Sequence, residues 1–137
     1  MSDLVRFGVS LDGELLKKFD DHIKQHSYSN RSSALADIIR EKLIEQEWQS
    51  NEIVTGVITM VFDHHQRGLA NLLTNIQHDR HGLIISSQHI HLDHDNCFEI
   101  IVVKGRATVL NQLCNDLKAP KGVKYARLNL ATTGEKV

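Results

Sequence analysis

The segment LIISSQHIHLDHDNCFEIIVVK, residues 83–104, holds two runs rich in apolar and β-branched residues, separated by a polar break. The first run is Leu83–Leu92 and the second is Cys97–Lys104. Such runs are typical of β-strands, and a short polar stretch between them is typical of a hairpin loop. The segment therefore predicts a two-stranded antiparallel hairpin.

The register of this hairpin brings ligand-capable side chains together. A five-residue loop places Cys97 opposite His91. The same register places Glu99 opposite His89. Because alternate residues of a strand share a face, His89, His91 and Cys97 are predicted to converge from two adjacent strands. Two imidazoles and a thiolate suit a borderline or soft metal ion, and a neighbouring carboxylate can orient an imidazole.

The other cysteine and the other histidines have simpler interpretations. A lone pair of strand histidines is usually an ordinary surface feature, and it is the thiol in matching register that favours a metal site here. Cys114 lies on the apolar stripe of a predicted helix and is interpreted as a small core residue. The histidines in predicted breaks are interpreted as solvated surface residues; they are His64, His65, His81 and His94.

The flanking sequence predicts an α+β domain around the hairpin. Ile53–Phe62 and Val123–Leu130 are further strands by composition, and apolar residues recur at helical spacing from Leu69 to Gln77 and from Ala107 to Leu117. The resulting order is βαββαβ, which is ferredoxin-like or ACT-like. The polar residues 46–51 predict a linker before this domain, and the polar tail 131–137 is expected to fray.

The first fifty residues predict a strand and two helices. Alternation over Leu4–Leu11 is typical of a half-buried strand, and Asp12 is a candidate N-cap of a helix that ends near Gln25. Either Ser29 or Asn30 is the candidate cap of a second helix that continues to about Trp48. A single strand here needs a partner. Either two chains pair their strands as an antiparallel ribbon, or the strand is the edge of a larger sheet; the pattern leaves both open.

Composition limits the functional classes. The chain has 137 residues, 41% of them hydrophobic, and a formal net charge of −1. Residues 1–50 carry seven Lys/Arg against nine Asp/Glu, so any contact with nucleic acid needs a basic face rather than bulk positive charge. No apolar run approaches the roughly 18 residues of a membrane span. Two cysteines make no disulfide framework, so we expect a reducing, cytoplasmic location.

Residues 6–40 resemble a ribbon-helix-helix DNA-binding domain, through the short strand, Leu11-Asp12 and the turn before the second helix. The resemblance implies that the ribbon enters the major groove and that the N-terminus of the second helix contacts phosphate. The implied base-reading residues are Arg6, Gly8 and Ser10, and the implied phosphate-anchoring residues are Asn30, Arg31 and Ser32. Gly8 departs from the usual polar side chain.

The spacing His78-x10-His89-x-His91-x5-Cys97, behind such a domain, resembles the nickel-responsive transcriptional regulators (the NikR family) over roughly residues 6–130. The resemblance implies a non-enzymatic repressor that binds a palindromic operator in double-stranded DNA when nickel is present. It implies a homotetramer, a dimer of dimers, with a DNA-binding domain at 1–48 and a metal-binding, tetramerisation domain at 52–137.

The same resemblance assigns the site residues. One Ni(II) per chain takes His89, His91 and Cys97 from one chain and His78 from a neighbour, in a square plane that suits Ni(II) where zinc would favour a tetrahedron. Gln77 and Glu99 are the supporting residues around the ligands. Arg67 contacts DNA phosphate. In the second helix Ser33 stands where the family often has an acidic cation ligand, while Asp37 is retained.

Three other hypotheses fit parts of the pattern. The regulator could sense cobalt, copper or zinc, because the residue types alone do not select nickel. It could be an antitoxin-type ribbon-helix-helix regulator whose C-terminal domain binds an amino acid. It could also be a small metalloenzyme with an open coordination position, although only Glu99 is a candidate general base.

Overall fold

A computed structural model describes residues 3–137 and divides the chain into two compact units, Met1–Arg40 and Glu41–Val137. The elements in chain order are α1 Gly13–Gln25, α2 Arg31–Gln49, β1 Ile53–Asp63, α3 Leu69–Asp79, β2 Ile84–His91, β3 Asn96–Arg106, α4 Ala107–Lys118 and β4 Val123–Leu130. Within residues 3–137, no helix combines the length and the apolar character that crossing a membrane requires.

The helices of the first unit begin at the predicted caps. The Asp12 carboxylate accepts hydrogen bonds from the backbone N–H groups of Glu14 and Leu15, at 3.0 and 3.2 Å. The Asn30 side chain accepts the backbone N–H of Ser33 at 2.8 Å. Each cap satisfies amide groups that lack a partner within the first helical turn. The predicted starts of both helices are confirmed.

The predicted strand over residues 4–11 is not formed in the single chain. Residues 3–12 have no regular secondary structure, and Phe7 and Val9 are 70% and 58% exposed rather than half-buried. For the single chain the strand prediction is wrong, because no neighbouring strand supplies hydrogen bonds to this segment. Its apolar side chains line an open groove of about 500 Å³ with α1 and α2.

The second unit has the predicted βαββαβ order. Its four strands form an antiparallel sheet in the order β2-β3-β1-β4, the arrangement of a split βαβ fold. β1 and β3 alternate buried and partly buried residues along most of their length, so one face of the sheet is covered. Helices α3 and α4 contribute their apolar stripes to the same core, through residues such as Leu73 and Leu110.

The polar segment 46–51, predicted as a linker, begins within a helix. Helix α2 continues to Gln49, and Trp48 is only 8% exposed because its ring packs into the core of the second unit. The indole N–H of Trp48 donates to the carbonyl of Ala131 at 2.8 Å. The boundary between the compact units lies between Arg40 and Glu41, earlier than the predicted boundary.

The polar tail is held in place rather than frayed. The Ala131 N–H donates to the carbonyl of Thr55 at 3.0 Å, and the Thr55 hydroxyl donates to the carbonyl of Thr132 at 2.8 Å. The Thr132 hydroxyl also bonds the buried carboxylate of Glu47 at 2.9 Å. Backbone pairing of this kind, which composition does not reveal, extends the order of β4 into the tail.

Candidate metal centre

The hairpin register predicted from the sequence is confirmed. β2 pairs antiparallel with β3, with His91 opposite Cys97 and His89 opposite Glu99. Cys97 and Glu99 belong to the buried face of β3. Directly paired residues point to the same side of a sheet, so both histidines lie on this face too. They remain exposed because β2 is the edge strand of the sheet.

The three side chains form one compact cluster. A ligand atom from each of His89, His91 and Cys97 lies within 4.8 Å of the other two. The Sγ atom of Cys97 is 3.3 Å from Nδ1 of His91. The rings of His89 and His91 lie 5.3 Å apart at 70°, and Phe62 contacts the His89 ring edge-on at 5.6 Å. The cluster thus packs against the Phe62 ring on one side, and its histidines are exposed to solvent on the other.

The Cys97 thiol has a raised pKa. Burial is the main cause, and the negative charges of Glu99 and Asp93 add to it. A thiol in this environment stays protonated at neutral pH, whereas a metal ion is bound by the thiolate. Binding of a metal cation at the cluster therefore releases the proton of the Cys97 thiol. The negative charges of Glu99 and Asp93 favour the bound cation.

The hairpin loop is held by Asp93. One carboxylate oxygen of Asp93 accepts the backbone N–H groups of Asp95 and Asn96 at 2.9 and 2.8 Å. The Asn96 side-chain amide donates to the same carboxylate at 3.1 Å, and these bonds lower the pKa of Asp93. Lys124 from β4 donates to the Asn96 side chain at 2.5 Å. The loop length that sets Cys97 opposite His91 is therefore fixed by side chain to backbone bonds.

Glu99 lies opposite His89, and its hydrogen-bond partner is Gln77. The Gln77 side-chain amide donates to the buried Glu99 carboxylate at 2.9 Å and joins α3 to β3. His78 is exposed in the last turn of α3. Within residues 3–137, the three-residue cluster is formed without His78.

The predicted DNA-contact residues of the first unit are exposed. Arg6, Gly8 and Ser10 belong to the irregular segment before α1, and Ser32 lines the apolar groove. Arg31 forms a two-pronged ion pair with Asp20 of α1, with both N–O distances at 2.9 Å. This pair lowers the pKa of Asp20 and raises the pKa of Arg31.

Three further predicted positions are placed as follows. Arg67 is exposed in the turn between β1 and α3. Asp37 accepts a short hydrogen bond from the hydroxyl of Tyr28. The Ser33 hydroxyl lies 3.4 Å from that of Ser29, and neither Ser33 nor Asp37 belongs to a metal-capable cluster within the described part of the chain.

The sequence interpretation missed a second group, His65, His94 and Asp95. Their ligand atoms also lie within 4.8 Å of one another, although both histidines were interpreted as solvated loop residues. One signal could have revealed the group. If β1 pairs antiparallel with β3, the residues that follow β1 must lie beside those that precede β3.

The donor set of the first cluster fits a transition metal. A buried thiol and two imidazoles supply soft and borderline donors, whereas magnesium and calcium require oxygen atoms. Fold and cluster together define the second unit as a metal-binding domain of the α+β class.

Comparisons with known proteins identify the family. Residues 55–131 match the family model described as the NikR C-terminal nickel-binding domain. A protein of Syntrophus aciditrophicus (strain SB), named as a nickel-responsive regulator, is 54% identical over 98% of each chain. Regulators of the same name from Chlorobaculum tepidum and Solibacter usitatus are 51% and 50% identical, over 96% and 98% of this chain and 98% and 97% of theirs. The chain belongs to the family of nickel-responsive transcriptional regulators, as its motifs predicted.

A solved structure of an uncharacterized protein from Thermotoga maritima is also similar in fold. It has a TM-score of 0.53 and 14% sequence identity, and the match covers 58% of this chain and 98% of that one. At this identity the likeness concerns the fold alone.

Proposed function

We propose that this regulator is a repressor that binds a palindromic operator in double-stranded DNA when Ni(II) is held between two of its chains. The ligands are His89, His91 and Cys97 of one chain and His78 of a neighbour, with one nickel ion per chain. The observation that carries the proposal is the convergence of His89, His91 and Cys97 within 4.8 Å on a hairpin of fixed register.

The chain's own residues prepare this site. Asp93 fixes the length of the hairpin loop. The hydrogen bond between Gln77 and Glu99 anchors α3 at the residue before His78. An exposed imidazole at that helix end is free to reach a second chain. Nickel, when bound, supplies a fixed attachment point between two chains, and a ligand that binds one arrangement more tightly shifts the population toward it.

The N-terminal segment supports pairing between chains. Phe7 and Val9 are exposed and line an apolar groove, a surface that isolated soluble domains usually cover. We propose that two such segments pair as an antiparallel ribbon and cover the groove. Two ribbon dimers then flank four C-terminal domains in a homotetramer, with residues 1–48 binding DNA and residues 52–137 holding nickel and the tetramer together.

The ribbon places the proposed base-reading residues on one face, and the start of α2 meets the phosphates. The proposed DNA-contact residues are Arg6, Gly8, Ser10, Asn30, Arg31, Ser32 and Arg67. Because Arg31 is paired with Asp20, we assign it a role in holding α1 against α2, with phosphate contact at the open side of its guanidinium. The proposed role involves no catalysis, and the free thiol at the site suits a reducing cytoplasm.

Nickel binding is tested by absorption spectroscopy on the full chain. We expect a thiolate-to-nickel charge-transfer band that saturates at one equivalent per chain. The band should disappear in Cys97→Ser and persist in Cys114→Ser, a matched control in which the other cysteine, buried on α4, is changed. A band that survives in Cys97→Ser, or that disappears equally in both variants, would rule out the proposed ligand set.

The shared nature of the site is tested by mixing two variants. His78→Ala and Cys97→Ala should each lack the complete site. Unfolded together and refolded, they should regain about a quarter of the sites, because only one pairing of chains in a mixed oligomer restores all four ligands. No recovery in the mixture, with each variant folded, would show that the fourth ligand is not His78 of a neighbouring chain.

A further inference from the structure

We propose that the polar tail after β4, residues 131–137, positions helix α2 for DNA binding by fastening the last turns of that helix to the second unit. The proposal rests on the proposed function and deepens it, because it gives the tail a part in nickel-dependent binding of DNA. The residues involved lie outside the nickel cluster and outside the proposed DNA contacts.

Helix α2 crosses the boundary between the two compact units. It begins at Arg31, one of the proposed phosphate-anchoring residues, and ends at Gln49, whereas the boundary lies between Arg40 and Glu41. With a rise of about 1.5 Å per residue, its 19 residues span roughly 28 Å. A continuous helix transmits displacement along its axis. A restraint on its last turns therefore also limits the movement of its first turn.

The end of α2 is closed by a left-handed cap at Asn51, whose φ is 52°. The N–H of Glu52 donates to the carbonyl of Glu47 at 3.1 Å, and the N–H of Asn51 donates to the carbonyl of Trp48 at 3.2 Å. This is the Schellman pattern, which satisfies the last carbonyls of a helix. The side-chain oxygen of Asn51 also accepts the backbone N–H and the hydroxyl of Thr108, both at 2.9 Å. The cap thus fastens the end of α2 to the start of α4.

The tail bonds two consecutive residues in the last turn of α2. The indole N–H of Trp48 donates to the carbonyl of Ala131 at 2.8 Å, and the hydroxyl of Thr132 donates to the carboxylate of Glu47 at 2.9 Å. Glu47 and Trp48 are each only 8% exposed, so both bonds are largely shielded from water. Removing the donor from a buried carboxylate is more costly than removing a bond at the surface.

The tail is also bonded to strand β1 of the sheet. The N–H of Ala131 donates to the carbonyl of Thr55 at 3.0 Å, and the hydroxyl of Thr55 donates to the carbonyl of Thr132 at 2.8 Å. An ion pair of Lys136 with Glu52 at 2.7 Å lies at the surface and contributes little. Thr132 therefore joins β1 through its backbone and α2 through its side chain.

A fixed helix end favours DNA binding without any contact between the tail and DNA. A helix that is already held in place has less conformational freedom to lose when DNA binds, so its affinity is higher. The nickel cluster lies on β2 and β3, in the same sheet as the strand that carries Thr55. Loosening the tail should therefore weaken DNA binding and leave nickel binding intact.

Hydrogen exchange of the metal-free full chain, measured by mass spectrometry, tests whether the tail holds α2. Thr132→Val removes the hydroxyl and keeps a side chain of similar shape. We expect peptides that cover residues 41–49 to exchange at least about tenfold faster in this variant. Thr133→Val is the matched control, because Thr133 is exposed and its hydroxyl contacts the N–H of Glu135 at 3.5 Å within the tail. Its exchange should equal that of the unmodified protein.

Absorption and DNA binding test the consequence for function. Thr132→Val should keep the thiolate-to-nickel band at one equivalent per chain. Binding of the nickel-loaded variant to a duplex selected by the unmodified protein from a random pool should be at least about fivefold weaker. Thr132→Ser retains the hydroxyl, and it should restore both slow exchange in residues 41–49 and DNA affinity. Thr133→Val should match the unmodified protein in every measurement.

Two kinds of failure are distinguishable. Unchanged exchange of residues 41–49 in Thr132→Val, or equal acceleration in Thr133→Val, would overturn the role of the tail. Faster exchange with undiminished DNA affinity would also overturn it, because the tail would then serve stability alone. If the unmodified protein showed no nickel-dependent DNA binding, the proposed function would fail, and with it the part of the tail in DNA binding. The exchange result would still decide whether the tail holds α2.

Discussion

The side-chain amide of Gln77 donates a 2.9 Å hydrogen bond to the buried carboxylate of Glu99. Glu99 is only 7% exposed and lies opposite His89 in the hairpin, while Gln77 precedes His78 at the end of α3. One bond therefore links the strand that carries Cys97 to the helix that carries the fourth proposed ligand. Within residues 3–137 every buried side-chain polar atom has a hydrogen-bond partner. For the Glu99 carboxylate, the Gln77 amide is such a partner.

Gln77→Ala should destabilise the metal-free protein by about 1–3 kcal/mol, because it removes an amide donor from a buried carboxylate. Urea unfolding at a fixed protein concentration measures the loss. Gln112→Ala is the matched control, since Gln112 bonds Asp116 at 2.8 Å on an exposed surface of α4. Its effect should stay within about 0.5 kcal/mol. Equal effects of the two substitutions would show that the bond to Glu99 contributes no more to the free energy of unfolding than an exposed hydrogen bond does.

Gly56→Ala should weaken the pairing of β1 with β4. A Cβ atom at position 56 would lie 2.9 Å from the carbonyl oxygen of Asn129 and 2.9 Å from a methyl carbon of Leu128. We expect a loss of about 1–3 kcal/mol, the usual cost of overpacking. Gly82→Ala meets no atom within 4 Å and provides the control. If thermal unfolding found Gly56→Ala as stable as Gly82→Ala, the close approach of β1 and β4 would be wrong.

The ion pair between Asp20 and Arg31 should depend on pH in a defined direction. The hydrogen bonds from Arg31 hold the pKa of the Asp20 carboxyl below its usual value of 3.8. A carboxyl whose folded pKa is lowered stabilises the fold above its unfolded pKa and loses that contribution as the pH falls through the folded pKa. The stabilisation is therefore complete at neutral pH and is lost in strong acid.

Carboxyl ¹³C NMR measures this titration directly. The Asp20 midpoint should lie below 3.8 in the unmodified protein and return toward the usual value in Arg31→Gln. Lys18→Gln, which removes an exposed cation paired with Glu14, should leave the Asp20 midpoint where it was. A midpoint unaffected by Arg31→Gln would contradict the assignment of Arg31 to Asp20.

The hairpin register was predictable because it follows from local sequence. Five residues separate His91 from Cys97, and the strand period of two then decides which side chains share a face. Helix starts were predictable for the same reason, since Asp12 and Asn30 act within three residues of themselves. Features set by neighbours along the chain could be derived from the sequence.

Features set by distant parts of the chain, or by other chains, could not be derived. Trp48 lies among polar residues, and its burial is explained by its hydrogen bond to Ala131 and its packing in the core, which the local sequence does not show. The segment 3–12 has a strand pattern without a strand, because pairing requires a partner. The pair of His65 with Asp95 depends on the register of β1 with β3, which no local pattern specifies.

Selection from a random pool of duplex DNA tests whether nickel at His89, His91 and Cys97 controls DNA binding. In the presence of nickel the unmodified protein should enrich a palindrome with two half-sites, and fluorescence anisotropy should show that chelation of nickel releases this duplex. His89→Ala combined with Cys97→Ala should enrich no sequence. Nickel-independent binding of the same palindrome by the unmodified protein and by this double variant would show that nickel at these ligands does not control DNA binding.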